Sequence, residues 1–271
     1  MDIILPKTCI KIDPDDYKKD GLIYCGKCHT PKQWRGTILG QVRIMPSLCK
    51  CAKERMEKEE AERRERERKR RIDDAKNIAF GDGRMKSWTF DNDDGANQDL
   101  SRKMRNYVEN FKTFSKNGRG LLLYGSTGNG KTYMGCCVAN ALIEKEYSVL
   151  VRNFASISNE LFSATDKSEY MSRINSVDLL MLDDLDIERE SSYMNEVVCS
   201  VIDGRYRANK PIVVTTNLST AQLKETTSMD KRRVYSRLMD MCVPIHVVGA
   251  DRRYENARKS FANDMKILNG E

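Results

Sequence analysis

No apolar run in the 271-residue sequence is long enough to cross a bilayer. The N-terminus also lacks the succession of charged, apolar and small residues that marks a secretion signal. The expected compartment is the cytoplasm, with no membrane partner. A reducing cytosol keeps thiols free, so nine cysteines require an explanation other than disulfides. The net charge of +7 permits nucleic-acid binding without requiring it. At 31.1 kDa, with 39% hydrophobic and 32% charged residues, the chain has room for one sizeable α/β domain and a smaller appendage.

Four cysteines form a pattern. Cys25-Gly26-Lys27-Cys28 is followed by Cys49-Lys50-Cys51, across a short stretch that carries Gly36, Gly40 and Pro46. Two close pairs of thiolates supply the soft ligands of a closed tetrahedral zinc site. The C-x-C half is tighter than the usual C-x-x-C, and His29, next to Cys28, is a substitute ligand in reserve. Reactive or core thiols are the competing reading. Cys9 falls outside the pattern and is left unassigned. Cys136, Cys137, Cys199 and Cys242 lie in apolar segments, where a free cysteine acts as a small hydrophobe.

From Ala52 to Lys76 the chain is almost entirely Glu, Arg and Lys. Glu precedes a base by four residues at Glu54/Lys58, Glu59/Arg63, Glu60/Arg64, Glu62/Arg66, Glu65/Lys69 and Glu67/Arg71, the favourable order on a helix. The apolar a and d positions of a coiled coil are missing, so a solvated connecting helix is expected, ending near Gly81 and Gly83. The basic stretch Arg66 to Arg71 reads either as a solvated face or as a contact for phosphates. Three parts are expected: a zinc module over 1–51, the linker helix over 52–82 and a folded α/β domain over 83–271.

Within the third part, Gly125-Ser126-Thr127-Gly128-Asn129-Gly130-Lys131-Thr132 fits the phosphate-binding loop G-x-x-x-x-G-K-[ST]. It lies between the apolar run Gly120 to Tyr124 and a helix-like stretch from Tyr133 to Ile143. Glycines there let backbone N–H groups turn towards a pyrophosphate, and the helix adds the positive end of its dipole. Lys131 would reach the β- and γ-phosphates, and the Thr132 hydroxyl would ligate Mg²⁺. A chance Gly-rich turn is the alternative. Apolar runs recur at Leu121 to Tyr124, Ser148 to Val151, Val177 to Leu182, Pro211 to Thr216 and Pro244 to Val248. Separated by helix-length segments, they predict a five-stranded parallel sheet covered on both faces, with its chemistry at the carboxyl ends of the strands. Val177 to Leu182 ends in Asp183-Asp184, the Walker B arrangement: Asp183 for Mg²⁺, Asp184 to orient or deprotonate the attacking water. An ordinary helix N-terminus would also use such acids. Asn217 ends the next strand, placed for the γ-phosphate or that water.

These pieces, in this order, resemble the AAA+ ATPases of the DnaC/DnaI/IstB group, most closely the helicase loaders of bacteria and their phages. The resemblance runs from about Met85 to Arg253 through Thr89-Phe90-Asp91-Asn92, Leu182-Asp183-Asp184-Leu185 and Ile202-Asp203-Gly204-Arg205-Tyr206. It continues through Val213-Val214-Thr215-Thr216-Asn217-Leu218, Arg233-Val234-Tyr235-Ser236-Arg237-Leu238 and Gly249-Ala250-Asp251-Arg252-Arg253. It implies a P-loop ATPase using ATP and Mg²⁺, with Asn217 as sensor 1, Arg237 as the arginine finger reaching a neighbouring subunit and Arg253 at sensor 2. Arg233, on the same helix face as Arg237, is the alternative finger. The group implies a hexameric replicative DNA helicase and single-stranded DNA as partners, and a homo-oligomer formed on ATP or partner binding. The zinc module would grip the helicase.

Asp184 stands where most AAA+ members carry glutamate, so slow hydrolysis is expected. Phe154 to Ile174 occupies the place of a DNA-facing helical element and offers Lys167, Tyr170 and Arg173, although an ordinary amphipathic helix accounts for them equally well. Two other functions fit the motifs: an IstB-type transposition helper acting on duplex DNA, which usually lacks the zinc module, and a zinc-bearing adaptor or helicase inhibitor in which nucleotide is a structural switch.

Overall fold

The computed structural model describes residues 12–38, 40–81, 83–185, 192–225, 229–254, 261, 264–265 and 267–269. The chain divides into two compact units between Arg70 and Arg71. The first contains two antiparallel hairpins, β1 (Tyr17–Lys19) with β2 (Leu22–Tyr24), and β3 (Gln33–Ile38) with β4 (Gln41–Pro46). Asp20 and Gly21, with φ of 54° and 75°, make the left-handed two-residue turn that suits the twist of the first hairpin. Lys32, 6% exposed, is held by the carboxylates of Asp13 and Asp16. Those bonds hold the Asp16 carboxyl below its usual range and raise the Lys32 ammonium above its own.

Helix α1 (Lys50–Phe80) takes up the charged stretch, and its ladder includes Arg64 to Glu60 at 2.6 Å. It stops before Gly81, whose φ is 62°. Its last turns are not simply solvated. Ala79 is buried, Ile72 and Ala75 pack on the core beside it, Lys76 pairs with Glu144 at 2.9 Å, and Arg152 donates to the carbonyl of Ala79 at 2.8 Å. A residue carried by the linker pattern thus becomes part of the second unit once apolar positions return at Ile72.

The second unit holds α2 (Gln98–Glu109), α3 (Phe111–Lys116), β5 (Gly120–Tyr124), α4 (Lys131–Glu144), β6 (Val149–Asn153), α5 (Phe154–Ser163) and α6 (Lys167–Ser176). It continues with β7 (Leu179–Asp183), α7 (Ser192–Arg207), β8 (Ile212–Thr216), α8 (Thr220–Lys224), α9 (Met229–Met241) and β9 (Cys242–His246). Five parallel strands pair in the order β6-β7-β8-β5-β9. Alternate residues serve opposite cores. Leu121, Leu123, Val149, Val151, Leu179, Met181 and Val213 pack with α2, α3 and α4. Leu122, Leu150, Leu180, Leu182, Ile212 and Val214 pack with α5, α6, α7 and α9. Two covered faces explain why these strands read as continuous apolar runs.

The expected strands are all present with shifted ends. The last begins two residues earlier than Pro244, because Cys242 opposite Gly120 starts the pairing, and Pro244 is tolerated on an edge strand. Val247 and Val248 lie beyond it. The expected element from Phe154 to Ile174 is two helices, started by the side chains of Asn153 and Asp166, which accept from Ser156 N and from Ser168 N and Glu169 N.

Arg205 is a fully buried cation in this unit. Its guanidinium donates to the carbonyls of Asn175 (3.1 Å), Val177 (2.7 Å), Asp178 (3.4 Å) and Pro211, tying the end of α6 to the start of β8. Burial pulls its pKa down to about 10. Replacing it leaves the carbonyls it serves without a donor inside the protein. Arg205→Met is expected to destabilise the fold by about 3 kcal/mol in urea denaturation; a loss below about 1 kcal/mol would show that water reaches the carbonyls and that the guanidinium is dispensable.

Candidate functional site

The loop from Gly125 to Gly130 connects β5 to α4, and Gly130, with φ of 97°, is the residue from which α4 starts. Lys131 is 7% exposed. Its Nζ donates to the carbonyls of Gly125 (2.8 Å) and Ser126 (2.6 Å) and to Oδ1 of Asn129 (3.1 Å), so the ammonium lies within the curve of the loop. Burial lowers its pKa, the charges of Asp184 and Asp183 oppose that, and Arg253 adds to it. Phosphate oxygens are stronger partners for this ammonium than the carbonyls it now uses.

Asp183 is the last residue of β7. Its carboxylate accepts from the Thr215 hydroxyl at 2.7 Å and from the hydroxyl of Thr132. Burial raises its pKa against those two bonds. Asp184, exposed and with a left-handed φ of 58°, turns away from the strand. Its N–H donates to Thr215 Oγ1 at 2.8 Å, and its Oδ1 accepts from Asn217 Nδ2 at 3.3 Å. Lys131, Thr132, Asp183, Asp184 and Asn217 therefore stand at the carboxyl ends of β5, β7 and β8, linked by contacts or by mutual electrostatics.

Thr215 escaped the sequence analysis, although it links both acids. It gives its proton to Asp183 and takes one from the Asp184 backbone, which aims the two carboxylates differently. Two adjacent threonines closing an apolar strand, Thr215 and Thr216, were the signal available in the sequence, and the structure buries both. Also missed was the fit of residues 247–254 around the loop. Val247 N donates to Tyr124 O at 2.8 Å, the Asn129 amide donates to Val247 O, and Arg252 N donates to Gly128 O at 3.1 Å. Arg252 also pairs with Asp94 at 3.1 Å, and Asn97 donates to Val248 O at the same distance. Asn129 is thus a brace between the loop and the segment after β9. Gly128, with φ of 78°, faces Asp251 so closely that a Cβ would lie 1.9 Å from its carboxylate. Arg253 is exposed, with its charge felt at both Lys131 and Asp183.

Arg237 is placed elsewhere: it ion-pairs with Asp203 on α7 and lies over the Tyr206 ring. Tyr170 is a core residue, 6% exposed with its hydroxyl donating to Glu160 at 3.1 Å, and so it offers no base contact. Its spacing on α6 turns it inward, whereas Lys167 and Arg173 are exposed.

In the first unit, the sulfurs of Cys25, Cys28, Cys49 and Cys51 all lie within 4.8 Å of one another. Cys51 is 3.5 Å from both Cys25 and Cys49. Four sulfurs at tetrahedral Zn–S bonds of about 2.3 Å would stand about 3.8 Å apart, so the donor set fits zinc. The Thr30 hydroxyl, 3.1 Å from Cys28 Sγ, helps to pull that thiol down to about 5, while hydrogen bonds with Cys49, Cys25 and Cys28 push Cys51 up to about 12. A divalent cation would replace the protons these sulfurs share. His29 is turned to Tyr17, its Nδ1 3.3 Å from the phenol oxygen, and Cys9 lies outside the described residues. Cys136, Cys137 and Cys242 are buried and Cys199 half-buried.

The sequence matches the family described as IstB-like ATP binding protein over residues 47–260. The chain belongs to this family. It is similar to the replicative helicase loader DnaI of Bacillus subtilis, 29% identical over 168 residues that make up 57% of this chain and 54% of that protein. It is also similar to the replicative helicase loader DnaC of Escherichia coli, 27% identical over 141 residues, 50% of this chain and 55% of that protein. The chain spans about half the length of these relatives. The crystal structure of DnaI superposes with a TM-score of 0.54 at 26% identity, covering 66% of this chain and 98% of that one. The crystal structure of the DnaC helicase loader shares the fold, with a TM-score of 0.52 at 22% identity over 60% of this chain and 97% of that one. The IstB-like domain is thus an ATP-binding AAA+ fold of the DnaC/DnaI type.

Two outcomes follow from this geometry. Thr215→Val keeps the side chain's shape and removes both of its bonds. It is expected to weaken Mg²⁺-supported ATP binding about 10- to 100-fold while binding in EDTA is unchanged, as read by titration with a fluorescent ATP at graded Mg²⁺. Cys49→Ser is expected to remove the one zinc per chain that native mass spectrometry should find in the unsubstituted protein; finding the same zinc content in both proteins would overturn the four-sulfur site.

Proposed function

We propose that this protein is an ATP-hydrolysing loader that delivers a hexameric replicative DNA helicase onto single-stranded DNA when replication begins. The observation that carries the reading is the combination of a complete ATP constellation at the strand ends with a four-cysteine module ahead of it, in a chain similar to proteins named replicative helicase loaders. The transposition helper usually lacks such a module.

The residues have separate tasks. The loop N–H groups and Lys131 bind the phosphates, and Thr132 and Asp183 hold Mg²⁺, which supplies charge for the transferring phosphoryl group. Asp184 orients the attacking water with Asn217 beside it, and its left-handed backbone keeps that carboxylate apart from Asp183. Arg237 acts on the ATP of a neighbouring copy, and Arg253 completes the site at sensor 2. Hydrolysis is therefore tied to assembly, and the short Asp184 side chain makes it slow without a partner. The module of residues 1–51, with its zinc, grips the helicase and is joined by the linker of 52–82 to the ATPase domain of 83–271. Its β3–β4 hairpin exposes Val42 and Ile44 side by side on one face, with Trp34 on the other, apolar surface suited to a protein partner. Lys167 and Arg173 contact the strand's phosphates. All of this takes place in the cytoplasm; among the described residues, no helix is long and apolar enough to cross a membrane.

The full chain mixed with its host's replicative helicase is expected to form a defined complex in ATP, measured by size-exclusion chromatography with light scattering. The double variant Cys25→Ser/Cys28→Ser should lose the complex while retaining ATP binding. Absence of a complex with the unsubstituted protein, in ATP and in ADP, would defeat the loader reading; duplex binding would then point to the transposition helper. Turnover that is fast without DNA or partner, and abolished by Asp184→Asn, would contradict the slow switch.

A further inference from the structure

Asp203, on α7, is approached by three arginines. Arg237 of α9 ion-pairs with its Oδ1, Arg233 of the same helix comes within 3.8 Å of its Oδ2, and Arg207, one turn further along α7, within 3.7 Å. The side chain of Arg237 is 23% exposed, against 63% for Arg233 and 78% for Arg207. On its other side Arg237 lies over the Tyr206 ring, 5.6 Å from the centroid. It is therefore gripped from two directions, and Arg233 is not. Among these side chains, three positive charges against one negative leave an excess of two, so the carboxylate orients Arg237 without cancelling the positive charge of the cluster. Beneath the cluster, Val201, Ile202, Val234 and Leu238 already fill the seam between α7 and α9. Packing there does not depend on the ion pair.

We propose that Asp203 is the positioning residue for the arginine finger, holding the Arg237 guanidinium against Tyr206 in the orientation in which it meets the ATP of a neighbouring copy. The proposal rests on reading Arg237 as that finger. A free arginine loses much rotamer freedom when it docks, and one held beforehand loses less. The benefit falls on the hydrolytic step in the neighbour and leaves the chain's own ATP affinity alone.

The test uses full-length chains with single-stranded DNA present. Asp203→Asn is expected to lower kcat for ATP about tenfold with KM and the thermal midpoint unchanged, and Asp203→Glu to restore most of it. Mixing Asp203→Asn chains with Lys131→Ala chains, which keep a held finger but bind no ATP, should recover turnover, because each supplies what the other lacks. A purely structural defect in Asp203→Asn would not be repaired by mixing, and that result overturns the proposal. So does normal turnover by Asp203→Asn when Arg237→Ala is defective. If Arg237→Ala itself turns over normally, the finger reading falls instead.

Discussion

Pairing between β7 and β8 sets Leu182 opposite Val214, and the chemistry of this protein depends on that register. One residue further along, Asp183 meets Thr215; Asp184 then bends away level with Thr216, and Asn217, one residue past the end of β8, reaches back to it. On the other side of β8, β5 pairs with Tyr124 opposite Thr216, so the phosphate loop leaves the sheet at the same level. A slip of one residue would do more than move the acids. It would exchange the two hydrophobic cores, because successive side chains of each strand serve opposite faces. Burial of both faces thus fixes the position of the catalytic ends.

Three cations illustrate different solutions to a common desolvation problem. Lys131 is enclosed by loop oxygens that a phosphate can replace. Arg205 gives its two terminal nitrogens to carbonyls that belong permanently to the fold. Arg237 shares a carboxylate at the edge of the α7–α9 pair and remains partly open to solvent. Exchangeable partners accompany binding, fixed ones accompany architecture, and a half-open one is compatible with the role proposed for Arg237.

Much of this was legible in the sequence because it depends on local order. The loop Gly125 to Thr132, the acids after Leu182 and the cysteine pairs are each written in a few consecutive residues. The strands were legible as apolar runs because both of their faces are covered, yet the start of β9 was not, since pairing with Gly120 decides it and the apolar Val247 and Val248 mislead. Tyr170 reads as an aromatic beside basic residues, and only packing against α5 and α7 shows that it points inward. Thr215, Arg252 and Asp203 depend on contacts between distant segments, about which spacing along the chain carries no information.

Gly128 and Asp251 lie 123 positions apart in the sequence but close in space. A left-handed backbone already favours glycine at position 128, and the nearby carboxylate adds a second reason that concerns volume. Asparagine, which tolerates that backbone better than most residues, would still collide. A glycine that looks replaceable in the loop's own pattern is therefore fixed from the far end of the domain. Shuffling this loop into a related scaffold should succeed only when the segment after the last strand travels with it.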